Sequence, residues 1–397
     1  MRIILFEDHK WQKFLPLVYT RPIGDLLIGI ENISSKWERV FNASCTHRSR
    51  PYLSELFPES NESVDLWINA RLLPDDIIIT AILNLNQGEI LLCGEDILAV
   101  KSDKYSVHSI EHFSSIQYES TPIILNQIMD LFSKNSIAIK EDFKRITKGR
   151  TSQKLHASNI LIGDTNDLFI EEGATIYAST LNTKAGPIYI GRDAEVMEGS
   201  NIRGPFSLGE HSTLKMSTKI YGATTIGLHC KIGGEVSNSV IQGFSNKAHD
   251  GFIGNTLLGQ WCNLGADTNT SNLKNNYSAV KIYDYAANSM VDTGLTFCGL
   301  IMGDHSKCGI NTMFNTGTDV GVGANIFGAG FPPKHIPSFS WGGAGGLMEY
   351  DLKKMMETAS KVYGRRFLDF RQQEKDILSY IFASTAVHRA TTTQSQE

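Results

Sequence analysis

A length of 397 residues exceeds what one ordinary hydrophobic core serves, so two domains and an appendage are expected. The net charge of −5, without any basic run, argues against a nucleic-acid partner. No apolar stretch reaches about 18 residues and the first residues turn acidic early, so neither a membrane partner nor a signal peptide is predicted. The six cysteines are scattered without a C-x-x-C pair, which argues against disulfides and structural zinc and favours a reducing cytoplasm.

The first part of the chain alternates short apolar runs with segments of helical spacing, which predicts an α/β domain over residues 1–150. Its predicted strands include Arg2–Phe6, Ile77–Ile79 and Ile90–Leu92. Its predicted helices include Ile33–Phe41 and Ile123–Phe132. The polar stretch Thr147–Lys154, which contains Gly149, predicts the domain boundary.

An aliphatic repeat with a period of six residues dominates the next part of the chain. The first run holds this spacing over eight positions, and a second run resumes it later. The keyed residues of the two runs are Ile190, Val196, Ile202, Leu208, Leu214, Ile220, Ile226 and Ile232, then Met302, Cys308, Phe314, Val320 and Ile326. Neither a helix nor a single strand requires such a period.

A coil with three short strands per turn explains the period, because each six-residue unit supplies one strand, one corner and one inward aliphatic side chain. Glycine often follows the keyed residue and suits the corners, where φ is often positive. The pattern therefore predicts a left-handed parallel β-helix of hexapeptide repeats over residues 151–335. A stack of ordinary hairpins is the alternative, and it would show strict alternation and Asn-Gly turns.

Residues 336–397 are predicted to form a Gly-rich segment followed by a C-terminal helix. Helical spacing is kept by Leu352, Met355, Met356, Ala359 and Val362. Such a helix is expected to pack against the coil or to cap its open end. The last ten residues, rich in Thr and Gln, are typical of a disordered tail.

The repeat breaks between Ile232 and Ile253, and a polar excursion follows over residues 267–277. A regular coil needs neither feature, and departures from local rules tend to mark functional sites. The motifs in and after the break are Glu235-Val236-Ser237-Asn238, Lys247-Ala248-His249, Phe252-Ile253-Gly254, Asn263-Leu264-Gly265-Ala266-Asp267-Thr268 and Asn272-Leu273.

In these motifs the sequence resembles the bifunctional sugar-1-phosphate nucleotidyltransferase/N-acetyltransferases that make UDP-N-acetylglucosamine, in a shortened subfamily. The family spacing from Glu235 to His249, and from His249 to Asn263 and Asn272, is kept. The resemblance implies an acyl-CoA-dependent N-acetyltransferase acting on an amino-sugar phosphate or a nucleotide amino sugar. It further implies acetyl-CoA as the donor, small-molecule acceptors and a homotrimer.

The resemblance also implies roles for single residues. His249 is the expected general base, since neutral imidazole accepts a proton readily near neutral pH. Glu235 is expected to orient His249, and the amide of Ala266 is expected to receive the thioester oxyanion. Contacts with the substrates are expected from Asn263, Lys247, Phe252 and Asn272. A surface-loop role for His249 and a plain corner role for Asn263 remain the alternatives.

Two cations of the family pattern are missing from this chain. Tyr221 stands where the family has Arg, and Ser237 stands where it has Lys. Because phosphate is normally held by Arg or Lys, their loss weakens the case for a phosphorylated acceptor. The lysines that could supply the charge are Lys219, Lys231, Lys247, Lys274 and Lys281.

The start of the chain departs from the family further. Leu5-Phe6-Glu7-Asp8-His9-Lys10 replaces a Gly-rich loop, and its two carboxylates argue against cradling a triphosphate. The segment 15–23 resembles the motif that follows that loop, and Gly94-Glu95-Asp96 resembles a Gly-Asp pair whose Asp binds Mg²⁺. The resemblance thus implies nucleotide binding by Arg21 and Asp96, with magnesium at Asp96 only if the domain is active.

Three other functions compete with acetyl transfer. The first is a sugar-1-phosphate nucleotidyltransferase, and the second is a non-catalytic trimer that binds a nucleotide sugar. The third is a γ-class carbonic anhydrase, which needs two zinc-binding histidines five residues apart. Position 254, five residues after His249, is glycine, which argues against this third function.

Overall fold

The computed structural model describes residues 2–60, 64–103 and 112–389. The N-terminal part contains a six-stranded sheet and a small hairpin. Its strands are β1 (Ile3–Phe6), β2 (Leu27–Ile28), β3 (Glu31–Asn32), β4 (Cys45–Arg48), β5 (Leu66–Asn69), β6 (Glu89–Cys93), β7 (Asp96–Lys101) and β8 (Ser114–Gln117). The sheet order is β4-β1-β5-β7-β6-β8, with β1 parallel to both β4 and β5. The predicted strands at β1 and β6 are confirmed.

The helices of the N-terminal part are α1 (Ile33–Phe41), α2 (Asp76–Leu83), α3 (Asp130–Ser133) and α4 (Asn135–Thr147). The prediction of α1 is confirmed, and Asn32 caps it by accepting from the amide of Ser35. The strand predicted at Ile77–Ile79 is wrong, because Asp75 caps the amides of Ile77 and Ile78 and starts α2 instead. A short apolar run does not distinguish the two structures.

The helix predicted over Ile123–Phe132 is also wrong in its first part. Leu72 forms an antiparallel bridge with Ile124, and the amide of Leu125 donates to the carbonyl of Arg71. These extended contacts keep the segment out of a helix until α3 begins at Asp130.

A left-handed parallel β-helix follows, and its short strands form three faces. The first face holds β9 (Ile160–Ile162), β12 (Thr180–Asn182), β15 (Asn201–Arg203), β18 (Lys219–Tyr221), β21 (Glu235–Ser237) and β24 (Phe252–Gly254), then the pair β27 (Asn269–Thr270) and β32 (Met313–Phe314). The second face holds β10 (Leu168–Ile170), β13 (Ile188–Ile190), β16 (Phe206–Leu208), β19 (Thr224–Ile226), β22 (Val240–Ile241), β25 (Leu257–Leu258), β30 (Ile301–Met302), β33 (Asp319–Val320) and β35 (His335–Ile336).

The third face closes each coil. It holds β11 (Thr175–Ile176), β14 (Glu195–Val196), β17 (Thr213–Leu214), β20 (Lys231–Ile232), β23 (Asn246–Lys247), β26 (Asn263–Leu264), β31 (Lys307–Cys308), β34 (Asn325–Ile326) and β36 (Ser340–Gly343). The antiparallel strand β37 (Gly346–Glu349) pairs with β36 and ends the face. Coil strands thus extend to Gly343. The domain bounds at residues 150 and 335, which were inferred from the sequence, stay predictions.

The keyed residues of both six-residue runs lie inside the coil, and the most exposed of them is Cys308 at 5%. Within the first run, Ile190 pairs with Leu208 and Leu208 with Ile226, so each coil repeats after three six-residue units. Stacking buries an aliphatic face that one coil cannot bury alone. The β-helix prediction is confirmed.

An insertion separates the two runs. Leu258 pairs with Met302, and the chain between them forms the hairpin β28 (Lys281–Asp284) and β29 (Ser289–Asp292). Val280 and Ile282 belong to the same buried cluster as Leu5 and Trp37 of the N-terminal part. The hairpin therefore joins the α/β domain to the second face of the coil.

The N-terminal domain also contacts the second face directly. The side-chain oxygen of Gln242 accepts from the amide of Leu27 at 2.8 Å, and its nitrogen donates to the Leu27 carbonyl at 3.1 Å. Asn135 donates to the carbonyl of Ala223, and Thr225 donates to the carbonyl of Gly29. The α/β domain thus packs along the side of the coil.

The predicted C-terminal helix is confirmed as α5 (Leu352–Gly364), and α6 (Gln372–Ser384) follows it. Met355, Ala359 and Tyr363 of α5 are buried against Trp261 and Phe339 of the coil. None of the helices in the described ranges has the length and apolar character of a membrane span. All but the first two residues of the predicted disordered tail lie outside the described residues.

Candidate active site

His249 lies at the corner that leads from β23 on the third face to β24 on the first face, and its side chain is exposed. Glycine in the coil below makes this corner possible. A Cβ atom on Gly233 would lie 2.5 Å from the carbonyl oxygen of Ala248, which no side chain tolerates. The next coil stacks on the same corner, where the amide of Asp267 donates to the carbonyl of Asp250 at 3.1 Å.

Glu235 lies half-buried on β21 of the first face, one coil before Phe252 of β24. Its carboxylate accepts a hydrogen bond from the hydroxyl of Tyr221. Burial, followed by this bond, raises the pKa of Tyr221 to about 12, so the phenol stays protonated at neutral pH. The partner recorded for the Glu235 carboxylate is thus Tyr221, and the predicted orienting bond to His249 is absent among the described residues.

Ala266 lies at the corner that stacks on the corner of His249. The carbonyl of Ala266 accepts from the amide of Asn311 at 2.8 Å. Its own amide finds no acceptor anywhere in the described part of the chain. An amide without a protein acceptor is what an oxyanion site requires. The oxyanion role of the Ala266 amide is compatible with this geometry and stays a prediction.

Of the other predicted substrate residues, two lie beside this corner. Asn263 is exposed on β26, and Phe252 is half-buried on β24. The side chain of Asn272 donates to the side-chain oxygen of Asn255 at 2.9 Å, which fixes its orientation. Asn263 and Phe252 thus flank the edge between the third and first faces, whereas Asn272 lies beside Asn255 at the other end of the first face.

Lys247 does not face this edge. It occupies the inward position of β23 that Ile232 holds one coil earlier, and it is only 1% exposed. Its ammonium donates to the carbonyls of His249 and Asp250 at 2.5 and 3.0 Å. Burial lowers the pKa of Lys247 to about 8. Lys247 therefore supports the His249 corner from inside the coil instead of meeting a ligand.

Asn246 is a site residue that the sequence analysis missed. It lies between Lys231 and Asn263 on the third face. Its side-chain oxygen is buried and has no hydrogen-bond partner among the described residues. In the sequence, Asn246 is a polar residue directly before the inward position of a strand. Every coil contains such a residue, so this feature alone could not single out Asn246.

A second polar cluster lies at the carboxyl ends of β1 and β5. Arg71 is fully buried and its guanidinium meets both oxygens of Asp8, with the shortest contact at 2.5 Å. Asp96 accepts from Arg71 at 2.6 Å and from Lys10 at 2.8 Å. Burial alone raises the pKa of Asp8 and of Asp96, but the bonds from these cations outweigh it and lower both pKa values.

This cluster fills the place where the family has its Gly-rich loop. Glu7 is held by Arg50 at 2.5 Å and by the amide of Ile23 at 2.7 Å. Both carboxylates that replace the loop are thus bound within the protein. The single oxygen of Asp96 that accepts from two cations does not fit a magnesium ion, which prefers carboxylates free of such neighbours.

Arg71 and Asn69 are the residues of this cluster that the sequence analysis missed. Asn69 ends β5 and Arg71 follows it, as Glu7 and Asp8 follow β1, and the carboxyl ends of parallel strands meet at one edge of a sheet. Polar residues at that point were the available signal. Arg21 lies elsewhere, since its side chain pairs with Asp304 of the coil and shares no partner with Asp96 in the described ranges.

The chain thus has two main parts. One is an α/β domain with a modified site at its strand ends, and the other is a left-handed β-helix with a histidine at one corner. Together they define a nucleotidyltransferase-like β-helix protein. Residues 3–151 match the family model described as sugar nucleotidyl transferase. The chain is 27% identical over 182 residues to the bifunctional protein GlmU of Synechococcus elongatus, covering 43% of this chain and 36% of that protein. The matched parts of the chain are thus similar to sugar nucleotidyl transferases and to GlmU-type bifunctional proteins.

Archaeal relatives match parts of the chain as well. GlmU of Methanocaldococcus jannaschii is 30% identical over 138 residues, covering 35% of this chain and 28% of that protein. The bifunctional sugar-1-phosphate nucleotidylyltransferase/acetyltransferase of Sulfurisphaera tokodaii is 29% identical over 148 residues, covering 36% and 35%. The chain thus spans about a third of the length of the curated relatives it matches.

Solved structures with some similarity include two UDP-N-acetylglucosamine acyltransferases. The Arabidopsis protein is 14% identical with a TM-score of 0.26, covering 59% of this chain and 94% of that chain. The Campylobacter jejuni protein is 14% identical with a TM-score of 0.27, covering 57% and 95%. The fold assigned to this chain rests on its own strand pairing.

Proposed function

We propose that the chain is an acyl-CoA-dependent N-acetyltransferase that acts on an amino-sugar phosphate or a nucleotide amino sugar. The observation that carries the proposal is the corner at His249. An exposed imidazole and an amide without an acceptor, that of Ala266, lie on adjacent coils of the same corner. These are the two groups that acyl transfer to an amine requires.

The chemistry follows from these groups. The amine nitrogen of the acceptor attacks the thioester carbon, and His249 takes the proton that the nitrogen loses. The negative charge that develops on the thioester oxygen is stabilised by the Ala266 amide. The carbon–sulfur bond then breaks, and the CoA sulfur leaves as a thiolate that takes up a proton.

Other residues position the reactants in this proposal. Lys247 holds the carbonyls of His249 and Asp250 from inside the coil, which fixes the corner that carries the base. Asn263 and Asn246 offer amide groups to sugar hydroxyls on the third face, next to the exposed Lys231. We propose acetyl-CoA as the donor and a homotrimer as the assembly, with donors bound between neighbouring coils.

The test is release of free CoA thiol from acetyl-CoA in the presence of a panel of amino-sugar phosphates and nucleotide amino sugars. Activity that requires an amino sugar is expected, and His249→Ala should lower kcat by about 10²- to 10⁴-fold, the usual contribution of a general base. His211→Ala is the matched control, because His211 is another exposed corner histidine of the coil. Equal loss in both variants, or no release with any acceptor, would refute the proposal.

Nucleotidyl transfer is a second candidate, and the match of residues 3–151 to sugar nucleotidyl transferases favours it. The ion pairs of Asp8 and Asp96 with Arg71 count against it, because the carboxylates are already neutralised. Pyrophosphate release from UTP with N-acetylglucosamine 1-phosphate and Mg²⁺ tests this activity. Release that Asp96→Asn abolishes would establish it, and no release would leave the domain a binding or structural part.

A further inference from the structure

A cavity of about 230 Å³ lies where the N-terminal domain, the coil and the C-terminal helices meet. Thr20, Arg21 and Asp25 come from the first, Gln260 and His305 from the second, and α5 and α6 close it. It shares no lining residue with the His249 corner or with the cluster around Arg71. The cavity is therefore separate from both sites described above.

Arg21 presents an unused donor to this cavity. Its side chain is 4% exposed, and its two terminal nitrogens contact Asp304 and Asp25. Its Nε atom is buried and has no acceptor among the described residues. A buried guanidinium N–H without an acceptor loses its hydrogen bond to water and gains none in return, so an acceptor is expected at this point.

His305 presents a second unsatisfied group. Its Nδ1 atom is buried without a partner in the described part of the chain. Burial, together with nearby Lys307 and Arg21, keeps the pKa of His305 well below its ordinary value, so the ring is neutral. The side-chain amide of Gln260 also lines the cavity with no recorded partner there. Three residues that line the cavity thus hold groups whose hydrogen-bonding capacity is unused within the described part of the chain.

The charges of the cavity argue for a neutral ligand. Two guanidinium groups, Arg21 and Arg371, face the carboxylates of Asp25, Asp304 and Glu374. Asp304 is saturated by Arg21, by the hydroxyl of Thr20 at 2.7 Å and by the amide of Gln260 at 2.8 Å. A phosphate would meet a lining without net positive charge, and an ammonium would compete with guanidiniums already in place.

The volume and the polarity of the cavity restrict the class of ligand further. Ile377, Leu378 and Phe57 add apolar side chains to the lining. The volume is below the range of about 300–1,000 Å³ that is usual for sites of drug-sized ligands, so a whole nucleotide does not fit. One sugar ring has the matching character, with an apolar ring face and a rim of hydroxyls.

We propose that this cavity is a binding site for a neutral hexose-sized sugar ring, with Arg21 Nε, His305 and Gln260 as its hydrogen-bonding groups. The site is independent of the acetyl transfer proposed at His249. Neutral monosaccharides such as N-acetylglucosamine belong to this class, whereas free glucosamine and inorganic phosphate do not.

Calorimetric titration of the full-length chain with N-acetylglucosamine and with glucose tests the proposal, with glucosamine and inorganic phosphate as charged comparators. At least one neutral sugar should bind and phosphate should not. Gln260→Leu should weaken binding about tenfold, the effect of losing one or two hydrogen bonds. Ile377→Trp should abolish binding by filling the cavity, and thermal melting of each variant reports whether it is folded.

His249→Ala is the control that separates this site from the proposed acetyl-transfer site, and it should bind the neutral sugar as wild type does. Loss of sugar binding in His249→Ala would assign the binding to the catalytic corner and overturn the proposal. Absence of binding by either neutral sugar, phosphate binding in preference to sugar, or unchanged affinity in folded Gln260→Leu would overturn it as well. If Ile377→Trp does not fold, Gln260→Leu alone decides.

Discussion

One inward position of the coil holds a charged residue where the other coils hold apolar ones. Lys247 occupies an inward position that carries Ile232 one coil earlier, and its ammonium replaces aliphatic packing with two bonds to carbonyls. A buried ammonium is tolerated only when such partners satisfy it. The exception in the coil thus lies directly beneath the corner that carries His249.

The buried state of Lys247 predicts a pH dependence of stability. The pKa falls to about 8 in the folded chain from an ordinary value of 10.5, so between these values the unfolded chain binds more protons. The stability that this group contributes is therefore complete above about pH 10.5 and is lost as the pH falls through about 8.

Urea unfolding of wild type and Lys247→Met at several pH values measures this effect. The difference in unfolding free energy, wild type minus variant, should rise by on the order of 2 kcal/mol between pH 8 and 10.5. Other alkaline titrations cancel in the difference. A difference that stays flat with pH would show that Lys247 titrates normally in the folded chain.

At the residue scale, sequence motifs indicated which residues to inspect, and the roles of those residues stay predictions. The position of His249 followed from its spacing to Glu235 and Asn263, and the structure places it on an exposed corner. Arg71 could not be found in this way, because its partners Asp8 and Asp96 meet it only through the parallel arrangement of β1 and β5. Spatial contacts of this kind leave no period in the sequence.

Elements were predicted best where packing imposes a period. The six-residue runs identified the inward residues of the coil. The period is strict because a shift of the strand by one position would turn polar corner residues into the core. The apolar run at Ile77–Ile79 carried no period, and a capping aspartate decided for the helix α2. Periodic packing therefore predicts structure better than apolar content does.

Close stacking of the coils predicts which glycines resist substitution. A Cβ atom on Gly227 would lie 1.6 Å from the carbonyl oxygen of Gln242 in the next coil. Gly227→Ala must shift backbone and should destabilise the chain by about 1–3 kcal/mol or more in thermal or urea unfolding. The matched control is Gly345→Ala, where no atom lies within 4 Å of the new Cβ.

The control variant should change stability by less than about 0.5 kcal/mol, as open surface substitutions do. Similar stability of the two alanine variants would mean that the coils can separate locally without cost. A loss in Gly227→Ala alone would confirm that backbone contact between coils limits this position.

At the scale of the whole molecule, the domains are joined by contacts that span most of the chain. Gln242 bonds to Leu27, Asp304 to Arg21 and Asp284 to Lys13. None of these pairs could be predicted from the sequence, because each is a single polar contact without a repeat. The packing of the α/β domain along the second face could therefore not be predicted from the sequence.

Removal of the buried pair should uncouple the domains. Asp304→Asn leaves the buried guanidinium of Arg21 without its main partner, which costs about 3–5 kcal/mol. Differential scanning calorimetry should then show a lower Tm and a separation of the unfolding transitions. Lys13→Met is the control, because it removes the more exposed pair with Asp284 and should cost less than about 1 kcal/mol.

The insertion hairpin between the two runs has a consequence for synthesis on the ribosome. Val280, Ile282 and Cys298 complete the apolar cluster that contains Leu5. At about 5–20 residues per second, synthesis of the chain between the first domain and these residues takes roughly seven to thirty seconds. During that interval the first domain leaves apolar surface open to chaperones and to other nascent chains. A translational stop shortly before residue 280 would release a product in which that surface is never covered.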